Sequence, residues 1–303
     1  MKRKRAMYVV AVSLLLTVCT GRESGGSVVG TRQSASQEGL LIAVSIPPQE
    51  WFVNRIAGDK VHTMVLAGSG HNPHSYEPSP MQIQHLASAG AWILSGSEFE
   101  ISLKPKVAAL FPNLLIIDGT EGVKFRTLED HDDDEDDEDG HDGIDRHTWL
   151  GREPAKILAS HIRDTLSILD GANASYYHEQ CEIILMLIDD EFDKLKIELA
   201  PLHGMSVFVY HPSFGYFLDE FGIRQEAVET GGKEPGPREL SRLLVKLEEE
   251  QAAAVFVQAQ FPVSAARTLA DAAGAELIAL DPLAGDWIEN IRRMGQALHR
   301  AAP

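Results

Sequence analysis

From Ala172 to Ala200 the chain contains neither Gly nor Pro, and Ile184, Leu187, Ile188, Phe192, Leu195 and Leu199 recur along it at helical spacing. At about 1.5 Å per residue such a helix spans roughly 40 Å, long enough to run along two domains as a single rigid connector. The segments on either side of it read alike, as short apolar runs alternating with helical patterns, which is the arrangement of a parallel sheet with crossover helices. Before it, strands are expected at Leu41 to Ile46, Val61 to Leu66, Ala91 to Ser95 and Leu114 to Asp118, with helices at Gln49 to Ala57, Pro80 to Ala89 and Ile101 to Phe111. After it, strands are expected at Ser206 to Tyr210, Gln225 to Glu229, Ala253 to Gln258 and Glu276 to Leu280, with helices at Arg238 to Glu250, Pro262 to Ala273 and Asp286 to Ala301. The expected fold is therefore α/β, with an N-terminal lobe over 40–171, a connecting helix over 172–200 and a C-terminal lobe over 201–303. Two lobes on one stiff helix leave a single cleft between them.

At 303 residues there is chain enough for two such lobes. The net charge of −18 disfavours nucleic acid and anionic membrane as partners. Much of that charge is one segment, since Glu129 to Asp142 holds eleven Asp and Glu and no Lys or Arg. The N-terminus has Lys2, Arg3, Lys4 and Arg5 before an apolar run from Ala6 to Val18, the pattern of a secretory signal and too short for a comfortable bilayer span. Export is expected, with residues 1–19 as the signal and 20–39 as a flexible Gly- and Ser-rich tether. Leu16-Thr17-Val18-Cys19 resembles a bacterial lipoprotein signal, in which Cys19 would become the lipidated first residue and anchor the chain to a membrane. A plain signal peptide cut nearby is the alternative.

In open α/β sheets ligands bind beyond the carboxyl ends of the strands, so chemistry is sought in the loops that follow them. Those loops hold His74, His147, His211 and Asp281. Three imidazoles and a carboxylate suit the tetrahedral preference of Zn²⁺, whereas exchanging imidazole for carboxylate would shift the site toward Mn²⁺. The two cysteines, Cys19 and Cys181, cannot build a thiolate site, so any metal uses nitrogen and oxygen. Spacing alone does not join four residues so far apart.

Their flanks do more. Pro73-His74-Ser75-Tyr76-Glu77-Pro78-Ser79-Pro80, Asp145-Arg146-His147-Thr148-Trp149-Leu150, Tyr210-His211-Pro212-Ser213-Phe214-Gly215-Tyr216-Phe217 and Leu280-Asp281-Pro282-Leu283 resemble the ligand motifs of the zinc-uptake (ZnuA-type) solute-binding proteins of ABC transporters, in the TroA-like helical-backbone metal-receptor superfamily. Gly232-Lys233-Glu234-Pro235 and Asn173 to Tyr177 match as well, and the resemblance covers nearly all of Leu40 to Ala302. It implies a zinc site of His74, His147, His211 and Asp281 in the interlobe cleft, with water able to replace Asp281. Arg146 stands where the family usually has Pro. His211 favours zinc, because manganese members tend to carry Glu there. Many members also have a C-terminal disulfide, which this chain cannot form because no Cys follows Cys181.

The acidic loop 129–147 carries His131 and His141, and is either a solubilising segment or an accessory site that gathers divalent cations. Glu77 is expected to orient its loop or to support a ligating imidazole, which usually donates its other N–H to an acceptor. His71 reads as a loop residue at the cleft rim, and His62, His85, His161, His178, His203 and His299 as structural or surface residues. Trp149, Tyr210, Phe214 and Tyr216 are expected to wall the site, and Cys181 to be an inert small apolar residue.

The expected function is an extracytoplasmic, monomeric Zn²⁺ receptor, not an enzyme, that delivers zinc to an ABC permease and its ATPase. The rivals are a manganese or iron receptor of the same fold, a metal-binding surface adhesin, and a secreted zinc hydrolase using Glu77 or Asp281 as base. No HExxH and no G-x-S-x-G follows a strand to support the last.

Overall fold

The computed structural model describes residues 39–128, 143–229, 235–250, 252, 254–258, 260–261 and 263–301. The signal, the tether up to residue 38, Cys19, the acidic segment 129–142 with His131 and His141, and Gly232 to Glu234 lie outside the described residues. No helix among the described residues is long and apolar enough to cross a membrane.

The first half contains β1 (Leu40–Val44), α1 (Pro47–Ala57), β2 (Val61–Val65), α2 (Pro80–Leu86), β3 (Ala91–Leu94), α3 (Glu98–Leu110), β4 (Leu115–Asp118) and α4 (Arg152–Leu169). Helix α5 (Ala174–Glu198) follows a short turn of helix at Gly171–Asn173. The second half contains β5 (Ser206–Val209), α6 (Gly215–Asp219), β6 (Arg224–Ala227), α7 (Pro237–Glu249), β7 (Ala254–Val257), α8 (Ser264–Ala273), β8 (Glu276–Ala279) and α9 (Trp287–Arg300). Local chemistry sets several starts. Pro47 and Pro48 occupy the first turn of α1, where a missing N–H costs nothing. Ser79 and Gln82 cap α2 reciprocally, the Ser79 N–H donating to Gln82 Oε1 at 2.9 Å and the Gln82 N–H to Ser79 Oγ at 3.3 Å. Helix α4 was not marked in the sequence, although Ala155, Leu158, Ala159, Ile162 and Leu166 form its buried stripe. That stripe recurs at helical spacing, so the pattern was present in the sequence.

Both sheets are wholly parallel, in the orders β2-β1-β3-β4 and β6-β5-β7-β8. Leu40 lies opposite Val61 and Ile42 opposite Ala91 in the first, and Ser206 opposite Arg224 and Phe208 opposite Val255 in the second. Successive side chains of a strand face opposite layers. Ile42 and Val44 thus enter an inner core while Ala43 enters an outer one with α2 and α3, and Val209 and Phe208 divide likewise in the second sheet.

The inner core is continuous through both halves, along α1, α4, α5 and α9. Trp287 of α9 reaches back across α5 to the first half, with its ring 4.9 Å from Phe52, 5.7 Å from Trp51 and 6.5 Å from Phe192. Gly295 is what lets α9 lie so near α5, because a Cβ there would come within 2.3 Å of Leu195. Cys181 is fully buried on α5, its thiol 3.7 Å from the Ala159 carbonyl. The two lobes therefore share one hydrophobic interior, and the strand order of each reverses beside its first strand, which opens the ligand crevice between β1 and β3 and between β5 and β7.

Candidate metal centre

Each crevice is pinned by a buried glutamine. Gln49 Oε1 accepts from Ser45 N at 2.8 Å and Ile46 N at 3.2 Å just past β1, while its Nε2 donates to the Ile93 carbonyl of β3 at 3.2 Å. Gln258, just past β7, donates to the His211 carbonyl at 2.7 Å and to Ser213 Oγ at 2.9 Å, and accepts from His211 N at 3.2 Å. In the second lobe the residue so fixed is a histidine. His211 leaves the end of β5 with its backbone held on both sides.

Two further imidazoles meet it. His74 comes from the long loop after β2, and His147 from the turn before α4. His74 Nε2 lies 2.9 Å from His211 Nε2, and His147 Nε2 lies 3.2 Å from it. Among the described residues these three form the one group of potential ligands, with donor atoms all within 4.8 Å of each other. A tetrahedral zinc with nitrogens at about 2.0 to 2.1 Å sets them roughly 3.3 Å apart. The two separations to His211 Nε2 already lie within about 0.4 Å of that spacing.

The other ring nitrogens explain the convergence. Each Nδ1 faces its own carboxylate: Glu98 at 3.1 Å from His74, Asp145 at 2.9 Å from His147, and Glu229 in close contact with His211. A carboxylate there draws the proton to Nδ1 and leaves a lone pair on Nε2, so three lone pairs point inward. Without a cation or a shared proton that arrangement is repulsive. Burial, together with the nearby His147 and His74, drives the His211 ring well below its ordinary pKa and keeps it neutral. Burial also raises the Glu229 carboxyl, to about 7. For Glu98 burial acts upward too, but the hydrogen bond and charge of His74 and the charge of His147 outweigh it and hold the carboxyl at about 2.

A small pocket opens over the Nε2 cluster, walled by Trp149, Phe261, Pro282 and Leu283. Phe261 stacks on the His211 ring at 4.3 Å, and Trp149 lies 5.4 Å from the His147 ring. Trp149 also donates to the Pro282 carbonyl at 2.8 Å and accepts at its own carbonyl from Trp287 at 2.7 Å, tying the lobes beneath the site. Tyr216, expected as a wall residue, instead uses its hydroxyl, which donates to the Asp145 carbonyl at 3.0 Å.

Two of the expected residues stand outside the imidazole group. Asp281 does not join the imidazoles, because its Oδ1 accepts from Leu283 N and from Gln260 Nε2, both at 2.9 Å, in the turn that ends β8. Gln260 is the residue that lines the cavity there, and its Oε1 is buried without a partner. Glu77 is exposed, and the carboxylate on the His74 ring is Glu98. His71 is held at the rim, its Nδ1 3.1 Å from the Gly68 carbonyl. Glu98, Asp145, Glu229 and Gln258 were not assigned a role from sequence. The available signal was that each stands at or just beyond a strand end or within two residues of a histidine, where an Nδ1 acceptor is required.

The family described as zinc-uptake complex component A, periplasmic, matches residues 42–301. A ZnuA crystal structure is similar with a TM-score of 0.80 at 32% identity, covering 88% of this chain and 100% of that one. The Bacillus subtilis high-affinity zinc uptake system protein ZnuA is 26% identical over 293 residues, 94% of this chain and 90% of the relative. The Streptococcus mitis manganese ABC transporter substrate-binding lipoprotein PsaA is 23% identical over 268 residues, 85% of this chain and 82% of the relative. With a match over nearly all the described residues, and with two parallel sheets joined by a long helix as in the solved relative, the chain belongs to the zinc-uptake complex component A family.

Proposed function

We propose that this protein captures Zn²⁺ as cargo between its lobes and delivers it to an ABC permease driven by its ATPase, outside the cytoplasm and with Cys19 as a lipid anchor. The observation that carries the reading is the set of three imidazoles, each with Nδ1 on a carboxylate and Nε2 turned to a common point. His74, His147 and His211 are the metal ligands in this reading. Asp281 stands outside the group of converging ligand atoms, so in this reading solvent takes the fourth position.

The manganese relative makes Mn²⁺ the second reading. Three nitrogens with no carboxylate in the group favour zinc, since Mn²⁺ is better served by oxygen and binds more weakly at nitrogen sites. Titration of the purified protein with Zn²⁺ and Mn²⁺ in competition tests this. One tight Zn²⁺ per chain, lost in His211→Ala and not displaced by equimolar Mn²⁺, is expected. Preferential retention of Mn²⁺, or Zn²⁺ binding that survives His211→Ala, would overturn it.

A further inference from the structure

Arg126 bridges the two lobes behind the metal centre, one carboxylate removed from His147. Its Nη1 donates to Asp145 Oδ2 at 2.7 Å and its Nε to Asp219 Oδ2 at 2.9 Å, so one guanidinium forks between a carboxylate of each lobe. Its backbone N–H donates to the Tyr216 hydroxyl at 3.0 Å, and that hydroxyl donates in turn to the Asp145 carbonyl. Asp145 is wholly buried and fully used: its other oxygen, Oδ1, accepts from both the backbone N–H and the Nδ1 of His147, each at 2.9 Å. The path from Asp219 on α6 to the His147 ring is thus four groups long, and each link has hydrogen-bond geometry.

The second lobe is shaped for this guanidinium. A Cβ on Gly215, the first residue of α6, would stand 1.7 Å from Arg126 Nη1 and 2.8 Å from Asp145 Oδ2. Only a residue without a side chain leaves the seat open.

We propose that Arg126 is a positioning residue of the metal centre, a clasp that fixes His147 through Asp145 and fastens it to α6 of the opposite lobe, so that metal leaves the cleft only as this clasp opens. The proposal rests on the reading of the three imidazoles as the metal site. Without the guanidinium, Asp145 Oδ2 loses its ion-pair partner in a buried place while Oδ1 alone still holds His147, and the ring is fixed less firmly.

The test follows Zn²⁺ dissociation into excess chelator, and the visible bands of the Co²⁺-loaded protein, for the full chain and for Arg126→Met, Arg126→Lys and Gly215→Ala. Arg126→Met is expected to release Zn²⁺ about 10- to 100-fold faster, the usual range when a ligand's partner is lost, and to shift the Co²⁺ bands. Arg126→Lys, able to reach one carboxylate but not to fork, should recover part of both. Gly215→Ala should reproduce Arg126→Met, and the double variant should be no worse than either, because each change evicts the same group. Wild-type release rates and unchanged Co²⁺ bands in Arg126→Met, or losses that add in the double variant, would overturn the clasp while leaving the zinc reading intact. A wild-type protein that takes up neither ion would overturn the zinc reading itself, and the clasp with it.

Discussion

The two lobes repeat one plan and use it differently. Both carry a parallel sheet of the same strand order, and both pin the crevice beside the first strand with a buried glutamine, Gln49 in one and Gln258 in the other. In the second lobe the pinned segment is the proposed ligand itself: His211 stands two residues beyond β5, its side chain 8% exposed and its Glu229 partner 3%. In the first lobe the pinned segment is Ser45 and Ile46, and the histidines arrive on longer connections. His147 is buried with Asp145, but His74 and Glu98 are 30% and 29% exposed. The centre therefore has a rigid floor, made of His211 and His147, and an exposed arm, His74. An ion seated on such a floor would have its solvent-facing side at His74.

The distinction predicts unequal losses. His211→Ala removes the second lobe's ligand altogether and should weaken Zn²⁺ by well over the ~100-fold that a ligand's supporting partner is worth. His74→Ala should weaken it less, leaving two buried imidazoles. Equal losses by calorimetric titration would erase the difference between floor and arm. The shared interior gives the next effect: Trp287→Ala should cost about 3–5 kcal/mol and lower the midpoint of one cooperative thermal transition. Two separated transitions would show that the lobes unfold independently despite their continuous core.

Among the carboxylates, Glu229→Gln should weaken Zn²⁺ toward the upper end of about 10- to 100-fold and Glu98→Gln toward the lower end, because solvent can replace an exposed partner. The reverse order would break the comparison. The smallest effect is on pH. Glu229, raised to about 7 by burial from an ordinary 4.5, binds its proton more tightly folded than unfolded. It therefore lends the metal-free protein stability that is full below pH 4.5 and lost as pH rises through about 7. Zinc on His211 Nε2 requires the proton on Nδ1 and a carboxylate at Glu229, so uptake below pH 7 expels a proton. Calorimetry at pH 6 in buffers of different ionisation enthalpy should find less proton release for Glu229→Gln than for wild type. An unchanged release would remove Glu229 from the linkage.

The sheet, the connector and the three histidines were legible because each is a local pattern: apolar runs of strand length, helical spacing without Gly or Pro, and histidines within distinctive flanks. Helix α4 was legible too, since Ala155, Leu158, Ala159, Ile162 and Leu166 recur at helical spacing, but it is not among the expected elements. Asp145 stood two residues from His147 and could have been assigned. Glu98 and Glu229 could not be matched to their histidines, which lie 24 and 18 residues away on other strands' loops. Asp281 was drawn to the site by its motif, and the structure gave its oxygen to a turn and to Gln260.

By itself the sequence determined the elements, the two-lobed α/β plan and the identity of the imidazoles, since periodicity and short motifs are written in neighbouring residues. Only the tertiary structure decided which carboxylate meets which ring, that Arg126 forks across the lobes, and that Gly215 leaves it room. Those pairings depend on crossover connections that bring distant strand ends within about 3 Å, a proximity that no local pattern encodes.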